Sequence, residues 1–227
     1  MPTVAFVSSK GGVGKTTASL LTALGLASRG RDGGPATVVM VDADPNLPLV
    51  RWAALPGRPE RVTVLPAPQA AMLPAQIRQA RIGKDDLTRA DWVVVDTEGG
   101  ARPAMHTAIR LADLVITPSG PSMLEAVEAL KVIGIVREAE KTLGRAIPHA
   151  CVLTRIPAAV RPRSVRTVVE QLKAAGVQVV GTPLIEKEAF RQLFSEGGSL
   201  DTLDPKMVSG IASARVNLDL FADDVAA

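Results

Sequence analysis

The sequence predicts an α/β fold: a doubly wound, mostly parallel sheet with helices on both faces. Three observations lead there. Short hydrophobic runs alternate with stretches of helical spacing along the whole chain. The runs at 37–41 and 92–95 are apolar at successive positions, as strands buried on both faces are. The first run passes through a glycine-rich loop directly into a helical stretch. At 227 residues, 47% of them hydrophobic, the chain suits one such domain over 1–227.

Taken in order, Val4-Ala5-Phe6-Val7 is the first strand, and a helix from Ala18 to Ala27 is stopped by the turn cluster Gly30 to Pro35. Thr37 to Val41 is β-branched and apolar and ends on Asp42-Ala43-Asp44-Pro45. The proline-rich stretch 46–61 is ambiguous, with Arg51-Trp52 on one helical turn; the strand Val62 to Leu65 and a helix from Leu73 to Ile82 follow. Trp92 to Val95 is a strand that ends on Asp96; a helix near Ala104 to Leu111 leads to the strand Leu114 to Thr117. Ser122 with Glu125 three residues on is a capping box, each side chain meeting a backbone donor of the first turn, and opens the longest helix, to about Leu143. Ala150 to Thr154 is another buried strand. Ser164 caps a helix to about Ala175 with Val165, Val168, Val169 and Leu172 on one face. Val177 to Val180 and Leu184-Ile185 supply the last strand material, a short helix runs from Lys187 to Glu196, and Asp204-Pro205 is the expected start of the final helix.

No apolar run approaches the ~18 residues that a spanning helix needs, and Met1-Pro2-Thr3 has no charged leader character, so a cytoplasmic protein is expected. The single cysteine, Cys151, rules out an internal disulfide and reads as core. The formal charge of +3 permits nucleic-acid binding without requiring it, and with 3% aromatics and no tyrosine a base-stacking platform is not expected.

The chemistry is concentrated at strand ends. Ser9-Lys10-Gly11-Gly12-Val13-Gly14-Lys15-Thr16-Thr17 sits between strand and helix, where backbone N–H groups and the helix dipole bind phosphate. In the P-loop pattern Lys15 reaches the β and γ phosphates and Thr16 ligates Mg2+. Asp96, after four hydrophobic residues, has the Walker B pattern and would hold the Mg2+ shell, through water; a helix cap or turn is its other reading.

Ser9 stands where the strict motif has glycine, and Lys10 adds a second lysine. With these the loop resembles the deviant Walker A class of P-loop NTPases, the ParA/MinD superfamily. Asp42-Ala43-Asp44-Pro45 resembles that superfamily's second signature, and the resemblance covers nearly the whole chain. Residues 42–52, Thr117-Pro118-Ser119 and Glu186 to Phe190 look like the short ParA proteins of plasmid partition and equally like VirC-type relatives in T-DNA transfer; Asp96-Thr97-Glu98-Gly99-Gly100 is nearer these short forms than larger ParA proteins. The resemblance implies ATP and Mg2+ as cofactors, residues 10–17 as the nucleotide-binding loop, Asp44 as the carboxylate that orients the attacking water, and Asp42 deeper, near Mg2+ and Lys15. It implies that Lys10 reaches across an ATP-dependent homodimer to the partner's phosphates, and that Arg155 and Pro183 lie where relatives contact adenine.

Other branches of the superfamily meet missing residues. Fe-S carriers need a cysteine pair, tyrosine kinases of this fold need tyrosines, and the MinD-like membrane helix is basic where this chain ends in Leu218 to Asp224, so neither an Fe-S cluster nor a membrane partner is expected. The remaining branch binds DNA. Arg161, Arg163, Arg166 and Arg191 are candidate contacts for non-specific DNA, although the first three read equally as a solvated helix start. Arg78, Arg81, Lys84 and Arg89 form a second patch, offset by Asp85 and Asp86. The expectation is a ParA-like ATPase for plasmid or chromosome partition or DNA transfer, nucleoid-associated when ATP-bound, and reset to monomer by hydrolysis that a ParB-like centromere-binding or cargo partner stimulates. The alternative is an ATP-switched positioning or recruitment adaptor for a protein cargo, without direct DNA binding; a metabolic P-loop enzyme is a third reading.

Overall fold

The computed structural model describes residues 2–29, 34–83, 89–100, 103–157 and 163–227. Strand β1 (Thr3–Phe6) leads through the glycine loop to helix α1 (Lys15–Arg29), and then β2 (Val38–Ala43), α2 (Pro48–Ala53), β3 (Val62–Pro66) and α3 (Leu73–Ile82) follow. The chain continues through β4 (Trp92–Thr97), α4 (Pro103–Leu111), β5 (Leu114–Ser119), α5 (Met123–Leu143) and β6 (His149–Leu153). It closes with α6 (Arg163–Ala174), β7 (Gln178–Val179), α7 (Glu188–Glu196) and α8 (Ile211–Ala226).

The strands form one sheet in the order β3-β2-β4-β1-β5-β6-β7, and every pairing is parallel. Because β1 feeds β2 across the place that β4 later fills, the strand order reverses beside β1, and ligand crevices open at such reversals. The register sets Phe6 opposite Asp96 and Asp96 opposite Asp42, so three chemically marked strand ends stop at one level.

Alternation along the central strands sorts the core into two faces. Val4, Phe6, Met40 and Val94 pack against α1, α2, α7 and α8 through Leu20, Leu21, Trp52, Phe190 and Phe221. Ala5, Val7, Val39, Val41, Val93 and Val95 pack against α3, α4 and α5 through Ile77, Met105, Ile109 and Val132. A third cluster seats Val165, Val168 and Leu172 of α6 against Cys151 and Leu153, the face that the valine spacing predicts. Cys151 is fully buried, and burial pushes its thiol up to about 12, which fits a core residue.

Two local readings change. The ambiguous proline-rich stretch contains the short helix α2, anchored by buried Leu49 and Trp52. Asp204-Pro205 begins an isolated turn instead of the last helix: the Asp204 carbonyl accepts from the Met207 and Val208 amides, its carboxylate accepts from the Lys206 amide, and α8 starts only after Gly210. Leu184-Ile185 extends the sheet by a single parallel bridge, Ile156 to Ile185. Among the described residues no helix is long and apolar enough to cross a membrane.

Candidate nucleotide-binding site

The loop between β1 and α1 folds back on itself because Gly12 and Gly14 take φ values of 74° and 81°, the left-handed region where a Cβ is costly. Its shape is fixed from outside as well. The Ser8 hydroxyl donates to the Lys10 carbonyl at 2.8 Å, and the Thr154 hydroxyl, at the end of β6, donates to the Val13 carbonyl at 2.6 Å. Ser9 Oγ lies 3.0 Å from the Glu128 carbonyl and 2.9 Å from its Oε2, so the residue that departs from the strict motif ties the loop to α5. Lys131 and Ser9, with a smaller contribution from Lys10, hold the Glu128 carboxyl below its ordinary range. Lys10 itself is exposed.

Gly99, after β4, presses on the same loop. A Cβ there would lie 2.6 Å from both Cα and N of Gly11, and the neighbouring Gly100 amide donates to the Ser8 carbonyl at 3.0 Å. Gly99→Ala therefore forces the two loops apart. The expected result is at least ~10-fold weaker binding of a fluorescent ATP analogue with the far-ultraviolet circular dichroism unchanged, since about 1.4 kcal/mol of displaced phosphate contacts suffices.

Lys15 opens α1, and its ammonium donates to the Thr97 carbonyl and stands 3.6 Å from Asp96 Oδ1; the two side chains are 7% and 0% exposed. Burial raises the Asp96 carboxyl above its usual range, opposed by Lys15 and by the nearby Thr16 and Ser19 hydroxyls. Neither Asp96 oxygen has a hydrogen-bond partner of normal geometry, and Ser19 Oγ donates to the Thr16 carbonyl instead. Two buried oxygens without a hydrogen-bond donor, one of them ion-paired with Lys15, suit a hard divalent cation that keeps its water shell. Among the described residues no cluster of three or more His, Cys, Asp or Glu could hold a metal ion.

The paired aspartates after β2 separate. Asp44 is half-buried, lines the pocket, and accepts from the Asn46 amide at 2.8 Å and the Asn46 side chain at 3.0 Å. Asp42 is fully buried, and its carboxylate accepts from the backbone amides of Leu49 at 2.8 Å, Val50 at 3.0 Å and Asp44 at 3.3 Å. Burial, with a lesser push from the Asp96 charge, raises Asp42 from 3.8 to about 6 against those amides. A carboxyl raised on folding binds its proton more tightly in the native state, so stability falls as pH rises from about 4 to about 6 and then levels. Asp42→Asn should flatten that part of the thermal-unfolding profile by roughly 2–3 kcal/mol.

The pocket over the loop has a volume of about 430 Å³. Its floor is the loop with Gly99 and Thr154, and its far wall is Arg155, Leu184, Ile185 and Phe190. Arg155 adopts φ 56° and pairs with Glu125; of the expected capping box the Glu125 amide donates to Ser122 Oγ at 3.3 Å, while the Glu125 carboxylate accepts from the Ser122 hydroxyl at 2.8 Å in place of its amide. Pro183 is not a lining residue; its carbonyl accepts from Asn217 Nδ2 at 2.9 Å, and Asn217 Oδ1 accepts from the Ile185 amide at 2.9 Å. Arg155 is an expected residue, whereas Asn217, Phe190 and the Glu125 partner of Arg155 were not legible as site residues. A polar residue among the buried positions of α8 was the signal for Asn217; nothing local signals contacts that span 30 or more residues.

Of the candidate DNA contacts, Arg166 and Arg191 have described side chains, and they lie on different helices, α6 and α7. Arg191 lines the nucleotide pocket and is paired with Glu186 at 2.9 Å and Glu188 at 3.1 Å. Arg166 is exposed on α6 and paired with Glu170 at 3.0 Å. Arg163 opens α6, and Arg161 lies outside the described residues, as do Lys84, Asp85 and Asp86 of the second patch.

Comparison with known proteins accords with this geometry. The VirC1 protein family model matches residues 1–223. The chain is 34% identical over 222 residues to protein ParA of Rhizobium radiobacter, covering 98% of this chain and 95% of that one. It is 32% identical over 201 residues to protein virC1 of Rhizobium rhizogenes, covering 87% and 82%. The solved structure of apo McdA from Cyanothece superposes with a TM-score of 0.75 at 16% identity, covering 99% of each chain, which shows a shared fold.

Proposed function

The chain belongs to the VirC1 family of ParA-like ATPases, and on that premise we propose that it is an ATP-driven switch for DNA partition or transfer. The observation that carries the reading is the division of labour between two lysines of one loop. Lys15 is buried against Asp96 and the Thr97 carbonyl, where a bound triphosphate would meet it. Lys10 is exposed on the same loop, which supports a role toward a second subunit.

In this mechanism the amides of residues 11–16 and the α1 N-terminus hold the phosphates, and Lys15 concentrates positive charge on the β and γ groups. Thr16 and the Asp96 shell would hold Mg2+, which screens the phosphate charge when bound. Asp44 orients the attacking water from the loop after β2. Lys10 supplies charge in trans, as an arginine finger does, so ATP assembles a sandwich homodimer that hydrolysis returns to monomer. Arg155, Leu184 and Ile185 embrace the base, with Phe190 supplying the apolar wall. The ATP dimer binds DNA without sequence preference, and a ParB-like centromere-binding or cargo protein stimulates hydrolysis in the cytoplasm.

Fluorescence anisotropy with random-sequence duplex DNA tests the reading. ATP-bound protein should bind with an affinity that falls steeply with salt, and ADP-bound protein should not bind. Equal binding in both states sinks the switch.

One observation favours a second reading, an ATP-switched adaptor that recruits a protein cargo without touching DNA. Arg166 and Arg191 are both ion-paired, which lowers the charge they offer to phosphates. It predicts ATP-dependent dimers that never shift DNA.

A further inference from the structure

We propose that Asp42 is a positioning residue for Asp44: its carboxylate locks the loop from β2 to α2 so that Asp44 stands at the nucleotide, and it takes no part in the Mg2+ shell. The inference rests on the ATPase reading above for Asp44's chemistry, although its structural core does not. Asp42 and Asp96 are register partners at adjacent strand ends, and both are fully buried. Their oxygens are used differently. Those of Asp96 have no hydrogen-bond partner, whereas those of Asp42 are taken by three backbone amides: Oδ2 by Leu49 and Val50, Oδ1 by Asp44.

Leu49 and Val50 are the second and third residues of α2, the donors that an N-cap side chain normally satisfies. The N-cap residue here is Leu47, which has no side-chain acceptor and holds φ 49°, an uncommon backbone state for a branched side chain. Such a conformation persists where its surroundings over-determine it. Asp42 supplies that constraint from five residues upstream, and its own carbonyl is fixed by the Ala67 amide at 2.7 Å. The segment 43–47 is therefore pinned at its start by the Asp42–Asp44 contact and at its end by the cap on α2. Asp44 lies on the pocket side of that closed loop.

The test compares Asp42→Asn, Asp42→Ala, Asp44→Ala and the Asp42→Ala/Asp44→Ala pair. Hydrogen exchange of the nucleotide-free protein reads the positioning directly. Peptides spanning 46–52 should exchange at least ~10-fold faster in Asp42→Ala, with Asp42→Asn intermediate because asparagine keeps one acceptor. In steady state kcat should fall on the order of 10-fold for Asp42→Asn and 100-fold for Asp42→Ala, with the ATP and Mg2+ half-saturation points within about twofold of wild type. The double variant should be no slower than Asp44→Ala alone, because both act through one group. A tenfold rise in the Mg2+ requirement, or unchanged exchange at 46–52 in either Asp42 variant, overturns the proposal. Wild type that fails to hydrolyse ATP would defeat the ATPase reading while leaving the exchange comparison to decide the role of Asp42; should Asp42→Ala not fold, Asp42→Asn carries both readouts.

Discussion

Lys15→Ala is expected to abolish ATP binding and to destabilise the fold in a pH-dependent way. Among the described residues its ammonium is one of three buried charged groups, and it faces a carboxylate that is buried more deeply still. Loss of the charge-assisted contacts to two phosphates should weaken ATP binding at least ~100-fold by calorimetry. The stability cost arises elsewhere. Without Lys15, Asp96 becomes an isolated buried charge, a situation that typically costs about 3–5 kcal/mol. Protonation relieves it, because Asp96 is already raised by burial and Lys15 is the main counterweight. The loss in melting temperature should therefore be larger at pH 8 than at pH 5, where more of the carboxyl is neutral. Lys15→Ala/Asp96→Asn should recover much of the stability and none of the binding. Equal melting losses at both pH values would show that the Lys15–Asp96 pair is not the cause.

Asp44→Ala should separate binding from turnover. Asp44 is half-buried and its contacts are with Asn46 two residues on, so its removal disturbs little of the fold. The expected result is ATP affinity within a few-fold of wild type and hydrolysis slower by roughly 10²–10³, the size associated with losing a group that places the nucleophile. Phosphate release and nucleotide titration measure the two independently. A variant that turns over normally would remove Asp44 from the chemistry.

What could be read in the sequence followed from periodicity and from chemistry that is local in the chain. The glycine loop, the apolar runs and the Ser122–Glu125 box each carry their signal within a few residues, and α3 and α5 appear close to their expected bounds. Asp204-Pro205 misled because a start signal needs a following run of helix to cap, and the segment to Gly210 forms turns. The Asp-x-Asp-Pro motif marked both carboxylates without distinguishing them. The difference between Asp42 and Asp44 depends on where α2 puts its first amides, which the proline-rich stretch concealed. Arg191, a candidate DNA contact in the sequence, lines the nucleotide pocket from α7 and pairs with Glu186 and Glu188.

In the proposed switch, ATP occupancy controls self-association through Lys10. The most direct measurement is the molecular mass of Asp44→Ala in solution with Mg-ATP and with Mg-ADP, beside Lys10→Ala/Asp44→Ala. Asp44→Ala with Mg-ATP should have twice the monomer mass, and every other condition should give monomer. The same mass in both nucleotides, or an ATP dimer that survives loss of Lys10, would contradict it.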